Sequence, residues 1–140
     1  INVVPAKATL TLDIRNTDNN ELKRAESEVA QFLKDIAERE GVSITSKSLA
    51  RFDPVQFDER VISIVHETAK ELGNTVQRMP SGAGHDAQML ARVCPSGMIF
   101  VPSVKGISHN PAEHTDSEDL QAGADILLHT MISLTTATFS

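Results

Sequence analysis

Two of the chain's five histidines fall within ten residues, "GISHNPAEHT", positions 106–115. Imidazole and carboxylate are the side chains that ligate divalent metals, and this stretch carries both around an Asn-Pro turn. It shows no helical or strand periodicity. His109 stands in a long loop after the apolar run "MIFV", where α/β proteins place their sites. A solvated loop histidine accounts for it equally well. His114 lies five residues on, beyond Pro111, so the pair is not a helical His-Glu-x-x-His zinc motif, and His114 reads as solvated. His66 and His129 fall off the apolar stripes of their helices and read as surface residues.

A second stretch, "PSGAGHDA" at 80–87, places two glycines ahead of a helix. Such a turn lets backbone approach a ligand closely, and free helical N–H groups favour an anion. It lacks the Gly-Lys-Ser/Thr of a P-loop, and an ordinary glycine turn explains it more simply. Arg15 offers a fixed fork suited to a carboxylate. Asp13 shares its strand face and can simply pair with it. Asn2, upstream of Pro5, says nothing alone. A catalytic metal centre wants three or more converging protein ligands, and only His109 is a good candidate. No Ser-His-Asp pattern stands out. Cys94 precedes a proline in an apolar context and reads as a packed thiol.

The elements that must position these residues follow from periodicity. "ATLTLDIR", 8–15, alternates with Ala8, Leu10, Leu12 and Ile14 on one face, as in a half-buried strand. Asp18 and Glu21 suggest a capping box for a helix running to about Glu40. Its stripe is Leu22, Ala25, Val29, Phe32, Leu33 and Ile36, and Gly41 ends it. "VSITSKSLARF" alternates again. Pro54 breaks the pattern and marks a boundary. A second helix covers about 58–72, with Val61, Val65, Thr68, Ala69 and Leu72 inward and Gly73 closing. "NTVQRM" reads as a short strand. "HDAQMLARV" reads as a helix, and "GMIFV" as a strand covered on both faces. Thr115 and Glu118 suggest a second capping box for a last helix with the stripe Leu120, Ala124, Leu127, Met131 and Leu134. The expectation is a mixed α/β and α+β chain. Residues 1–53 form half of a small strand–helix–strand layer and 54–140 part of a larger α/β sheet.

The chain has 140 residues, 40% hydrophobic and 23% charged, with net charge −6. That suits an ordinary soluble domain and argues against a general nucleic-acid binder, which would show a basic face. No apolar run is long enough to span a membrane, and no signal peptide is visible. One cysteine excludes an intramolecular disulfide and suggests a reducing compartment, hence the cytoplasm. Starting at Ile1 and entering at once a strand-like pattern, the chain reads as a piece of something longer.

Taken together, "INVVPAKATLTLDIRN", "SGAGHDAQMLA" and "MIFVPSVKGISHNPAEHT" resemble the M20-type metal-dependent amidohydrolases of the carbamoylase branch. That branch contains N-carbamoyl-L-amino acid hydrolases, β-ureidopropionases and allantoate amidohydrolases. The three motifs occur in order and span nearly the whole chain, yet they match only the C-terminal portion of such an enzyme. The resemblance implies the end of a ferredoxin-like lid or dimerisation domain over 1–53 and the end of a metallopeptidase-like catalytic domain over 54–140. It implies two divalent metal ions (zinc, manganese, cobalt or nickel), with His109 the last metal ligand and no ligand role for His114. Asn2 and Arg15 would bind a substrate carboxylate, Gly84 would contact substrate through its backbone, and His85 with Asp86 would shape the site. The remaining ligands and the general base are expected outside this chain, so it holds no complete catalytic set. The implied reaction is hydrolysis of the ureido C–N bond of an N-carbamoyl-L-amino acid, releasing ammonia, carbon dioxide and the amino acid. Allantoate is the alternative substrate, and a homodimer closing its lid on the small-molecule substrate is the implied assembly. The alternative for these 140 residues alone is an inactive structural or dimerisation module.

Overall fold

The computed structural model describes residues 3–136. It divides into two compact units, Ile1–Pro54 and Val55–Ser140.

The first unit is built on one helix, α1, Asn19–Glu40. Asp18 stands before it in extended backbone, and its carboxylate accepts from the N–H groups of Asn20 and Glu21. Two of the helix's orphan donors are thereby satisfied. The return bond of the expected capping box does not form. The Asp18 N–H goes instead to Asn16 Oδ1 at 2.8 Å, and Glu21 pairs with Arg24 at 2.7 Å. Gly41 ends the helix at φ +62°, where its N–H reaches the Ala37 carbonyl, the left-handed terminator that glycine adopts without a Cβ penalty. Leu22 is the buried anchor of the helix, while Phe32 remains 59% exposed. Arg51 ties the following segment back to α1 by bonding Asn19 Oδ1 at 2.8 Å and Glu26 at 2.6 Å.

The expected strands of this unit are not formed: none of the described residues lies in a strand ladder. Leu10 and Leu12, assigned to a buried face, are 89% and 69% exposed. The physical reason is that alternation makes a strand only when a neighbour supplies hydrogen bonds and a surface to cover. Among the described residues, 8–15 and 42–52 form no strand ladder. The strand–helix–strand expectation is corrected to one helix flanked by segments that form no ladder among the described residues.

The second unit is organised by two helices packed on each other, α2 (Glu59–Glu71) and α4 (Ser117–Thr136). Asp58 caps α2, accepting from the N–H groups of Arg60 and Val61. Val61, Thr68 and Ala69 form its buried face, whereas Leu72, expected inward, is exposed. A four-residue helix, α3 (Ala87–Leu90), and a 3₁₀ turn at Val104–Gly106 lie between them in sequence. The helix expected over 85–93 is thus reduced to α3 and trailing turns.

The apolar segment 97–101 lies against both long helices. A Cβ placed on Gly97 would come 2.9 Å from Val61 Cγ1, and one on Gly123 would come 2.5 Å from Val101 Cγ1. Glycine at 123 is therefore a packing requirement: α4 approaches this segment too closely for any side chain. This contact also decides which face of α4 is buried. Ile126 and Thr130 are inside, in line with Gly123 at helical spacing. The stripe expected to be buried is largely exposed, with Leu120, Leu127 and Met131 at 51–57%. Segment 97–101 is covered by helices but unpaired, and Phe100 is exposed, so the doubly covered strand expected there is likewise not formed. Residues 74–79 form no strand either; Arg78 ties them to α2 through Glu59 and, at 3.0 Å, Ser63 Oγ. Helix α4 begins one residue later than expected, with the Leu120 N–H on the Asp116 carbonyl, so Asp116 rather than Thr115 holds the cap position.

Candidate functional site

The loop after segment 97–101 is a built structure. The Val104 N–H donates to the His114 carbonyl at 2.8 Å, closing the loop across ten residues. Ser103 Oγ–H donates to the Ile107 carbonyl inside that closure. Asn110 turns the chain twice: its side-chain oxygen accepts from the Ala112 N–H at 2.9 Å, and its carbonyl accepts from the Glu113 N–H at 2.9 Å. Pro111 suits such a turn because its ring presets φ.

His109 sits at the crest of this loop with φ +55°. Left-handed backbone is strained for a residue with a Cβ, by about 1–2 kcal/mol, although histidine enters it more often than most. The strain is held by one strong contact: the Glu113 carboxylate accepts the His109 N–H at 2.7 Å. A bond from an amide to a charged acceptor is stronger than one between neutral groups. The His109 side chain is exposed, and its imidazole makes no hydrogen bond among the described residues. Sequence reading did not single out Glu113. The available signal was an acidic residue four positions after the histidine, across an Asn-Pro turn.

His114 is exposed and lies 3.5 Å from Asp116; its contribution to the loop is the carbonyl that receives Val104. His66, read as a surface residue, is half-buried, and its Nδ1 is buried without a partner among the described residues. Cys94, read as packed, is exposed, with its sulfur 3.4 Å from the Leu90 carbonyl.

The glycine turn at 80–87 is ordered by side chains that accept backbone donors. Ser81 Oγ accepts from the Ala83 N–H at 3.1 Å, and His85 Nδ1 accepts from the Ala87 N–H at 3.0 Å. With Nδ1 accepting, a neutral His85 carries its proton on Nε2. Asp86 makes no side-chain cap bond to α3. Gly84 is exposed, and a Cβ there would meet nothing within 4 Å, so its backbone is open to approach.

Arg15 and Asp13 pair as a fork, Nε to Oδ1 at 2.9 Å and Nη2 to Oδ2 at 2.6 Å. Hydrogen bonding to Arg15 holds the Asp13 carboxyl below its usual range, and the same bond raises Arg15. Both side chains are more than 60% exposed. Asn2 lies outside the described residues.

Among the described residues, no three of His, Cys, Asp and Glu lie together in a group that could hold a metal ion. The His109 imidazole, exposed on a braced loop and without a hydrogen bond among the described residues, fits a metal as one ligand and not as a complete set. No helix among the described residues is long and apolar enough to cross a membrane.

Comparison with known proteins shows the family. Residues 4–133 match the model of peptidase family M20/M25/M40. The chain is 40% identical over 131 residues to an N-carbamoyl-L-amino-acid amidohydrolase of Rhizobium meliloti, covering 94% of this chain and 32% of that protein. It is 35% identical over 133 residues to an allantoate amidohydrolase of Bacillus subtilis, covering 95% and 32%. A solved amidase of the hydantoinase/carbamoylase family from Burkholderia vietnamiensis superposes with TM-score 0.76 at 34% identity, over 84% of this chain and 28% of that one. The chain spans about a third of the length of the relatives it matches. With nearly every residue inside the matched region, it belongs to the M20/M25/M40 peptidase family and carries part of that family's amidohydrolase fold.

Proposed function

We propose that the protein containing this chain is a metal-dependent amidohydrolase that cleaves the carbamoyl (ureido) C–N bond of N-carbamoyl-L-amino acids. The observation that carries the reading is the braced loop presenting His109, in a chain whose relatives include N-carbamoyl-amino-acid amidohydrolases. Residues 1–53 are the end of a lid or dimerisation domain and 54–140 the end of the catalytic domain. The working assembly is a cytoplasmic homodimer acting on a small ureido substrate.

His109 serves as one metal ligand. Two divalent ions, when bound, supply Lewis-acid activation of water. Arg15 leaves Asp13 to take the substrate carboxylate with the same two-point fork. Asn2 makes a second contact with that carboxylate, and the open backbone of Gly84 contacts the substrate. Holding the carboxylate at one end fixes the position of the ureido carbon and lowers the entropic part of the barrier. His85 and Asp86 shape the turn that carries Gly84. The general base and the remaining ligands lie outside this chain, so these 140 residues alone are inactive and structural.

Allantoate is the second reading, because relatives named for it are of similar identity. Turnover of a panel of N-carbamoyl-L-amino acids and allantoate by the full-length protein, with added manganese, cobalt, nickel or zinc, decides between them. The expected result is a kcat/KM for an N-carbamoyl-L-amino acid at least tenfold above that for allantoate. The reverse order selects the second reading, and metal-independent turnover, or none, contradicts both.

A further inference from the structure

We infer that Glu113 is a positioning residue for His109, fixing the backbone from which the imidazole is presented to metal. The inference rests on the reading of His109 as a ligand.

Three observations converge on it. His109 occupies left-handed backbone at φ +55°, a conformation that relaxes unless something holds it. The Glu113 carboxylate receives the His109 N–H at 2.7 Å, the one hydrogen bond that His109 makes among the described residues, and it is made by the backbone rather than the ring. Glu113 is itself placed by the Asn110 turn, through its own N–H on the Asn110 carbonyl at 2.9 Å. The carboxylate is thus spent on orienting the chain. It holds the direction of the His109 Cα–Cβ bond and leaves the imidazole nitrogens unengaged. Groups that orient a ligand without touching the metal ordinarily change metal affinity by tenfold or more when removed.

The relation predicts coupling. If Glu113 acts through His109, its removal matters only while His109 is present. The test is metal affinity of the full-length protein, measured by competition with a chromogenic chelator for cobalt or zinc, in Glu113→Ala, Glu113→Gln, His109→Ala and the double variant His109→Ala/Glu113→Ala. Glu113→Ala is expected to weaken binding at the affected site roughly tenfold. Glu113→Gln keeps an acceptor oxygen and is expected to recover most of that loss. In the His109→Ala background, adding Glu113→Ala is expected to change affinity less than twofold. Full additivity of the two substitutions overturns the inference, as does unchanged affinity in Glu113→Ala while His109→Ala loses metal. Unchanged affinity in His109→Ala itself removes the ligand reading and the positioning role with it. The single-variant results separate these failures.

Discussion

Arg15 grips Asp13 through two parallel bonds, at 2.9 and 2.6 Å, on an exposed stretch of chain. The pair is a guanidinium fork already engaged by a carboxylate two residues away. Exposed pairs of this kind are weak because water competes for both partners. In the proposed role of Arg15, the substrate carboxylate displaces Asp13 from this exposed pair.

Replacement of Arg15 by Lys separates the two roles. Lysine keeps the charge and loses the fork. If Arg15 only pairs with Asp13, stability and kinetics stay near wild type. The account expects kcat/KM for an N-carbamoyl-L-amino acid to fall by roughly a hundredfold with the unfolding midpoint unchanged. Steady-state kinetics on folded, metal-loaded protein check this.

Gly123 gives a packing test. A methyl group at 123 would enter Val101 Cγ1, so Gly123→Ala is expected to destabilise by about 1–3 kcal/mol through overpacking, despite alanine's higher helix propensity. The double variant Gly123→Ala/Val101→Ala is expected to recover part of the loss. Denaturant unfolding of the full-length protein and its variants reads both effects.

Asp58 gives a pH test. Hydrogen bonding from Arg60, joined by the backbone N–H groups of Arg60 and Val61, holds its carboxyl down at about 2 against an ordinary 3.8. A folded-state value below the unfolded one stabilises the protein above the unfolded value. That contribution is lost as pH falls from about 3.8 towards 2. Asp58→Asn still caps α2 but carries no charge to pair with Arg60, so it is expected to fall below wild type near neutrality and to converge with it as pH falls towards 2. Thermal midpoints measured between pH 2 and 7 decide it; identical acid slopes in the two proteins would contradict it.

Much of the local structure was legible because its causes are local. Asp18 and Gly41 delimit α1, and Asp58 and Gly73 delimit α2, as capping chemistry requires. What was not legible depends on distant partners. The face of α4 that is buried is chosen by the contact of Gly123 with Val101, and both Leu127 and Ile126 are apolar enough to suit either face. The alternating segments at 8–15 and 42–52 carry a strand pattern, but no pattern within a strand specifies whether a neighbour pairs with it. At the site, the histidine loop and the glycine turn were recognisable by residue type. The Glu113–His109 bond was not, because it follows from a left-handed backbone angle that residue spacing does not encode.

The most direct test of the central claim is metal analysis of the full-length protein carrying His109→Ala, alongside its turnover of an N-carbamoyl-L-amino acid. The account expects metal content well below that of wild type and a rate at least a hundredfold lower, with the protein still folded. Full metal occupancy with wild-type turnover would contradict it and leave His109 an exposed loop residue.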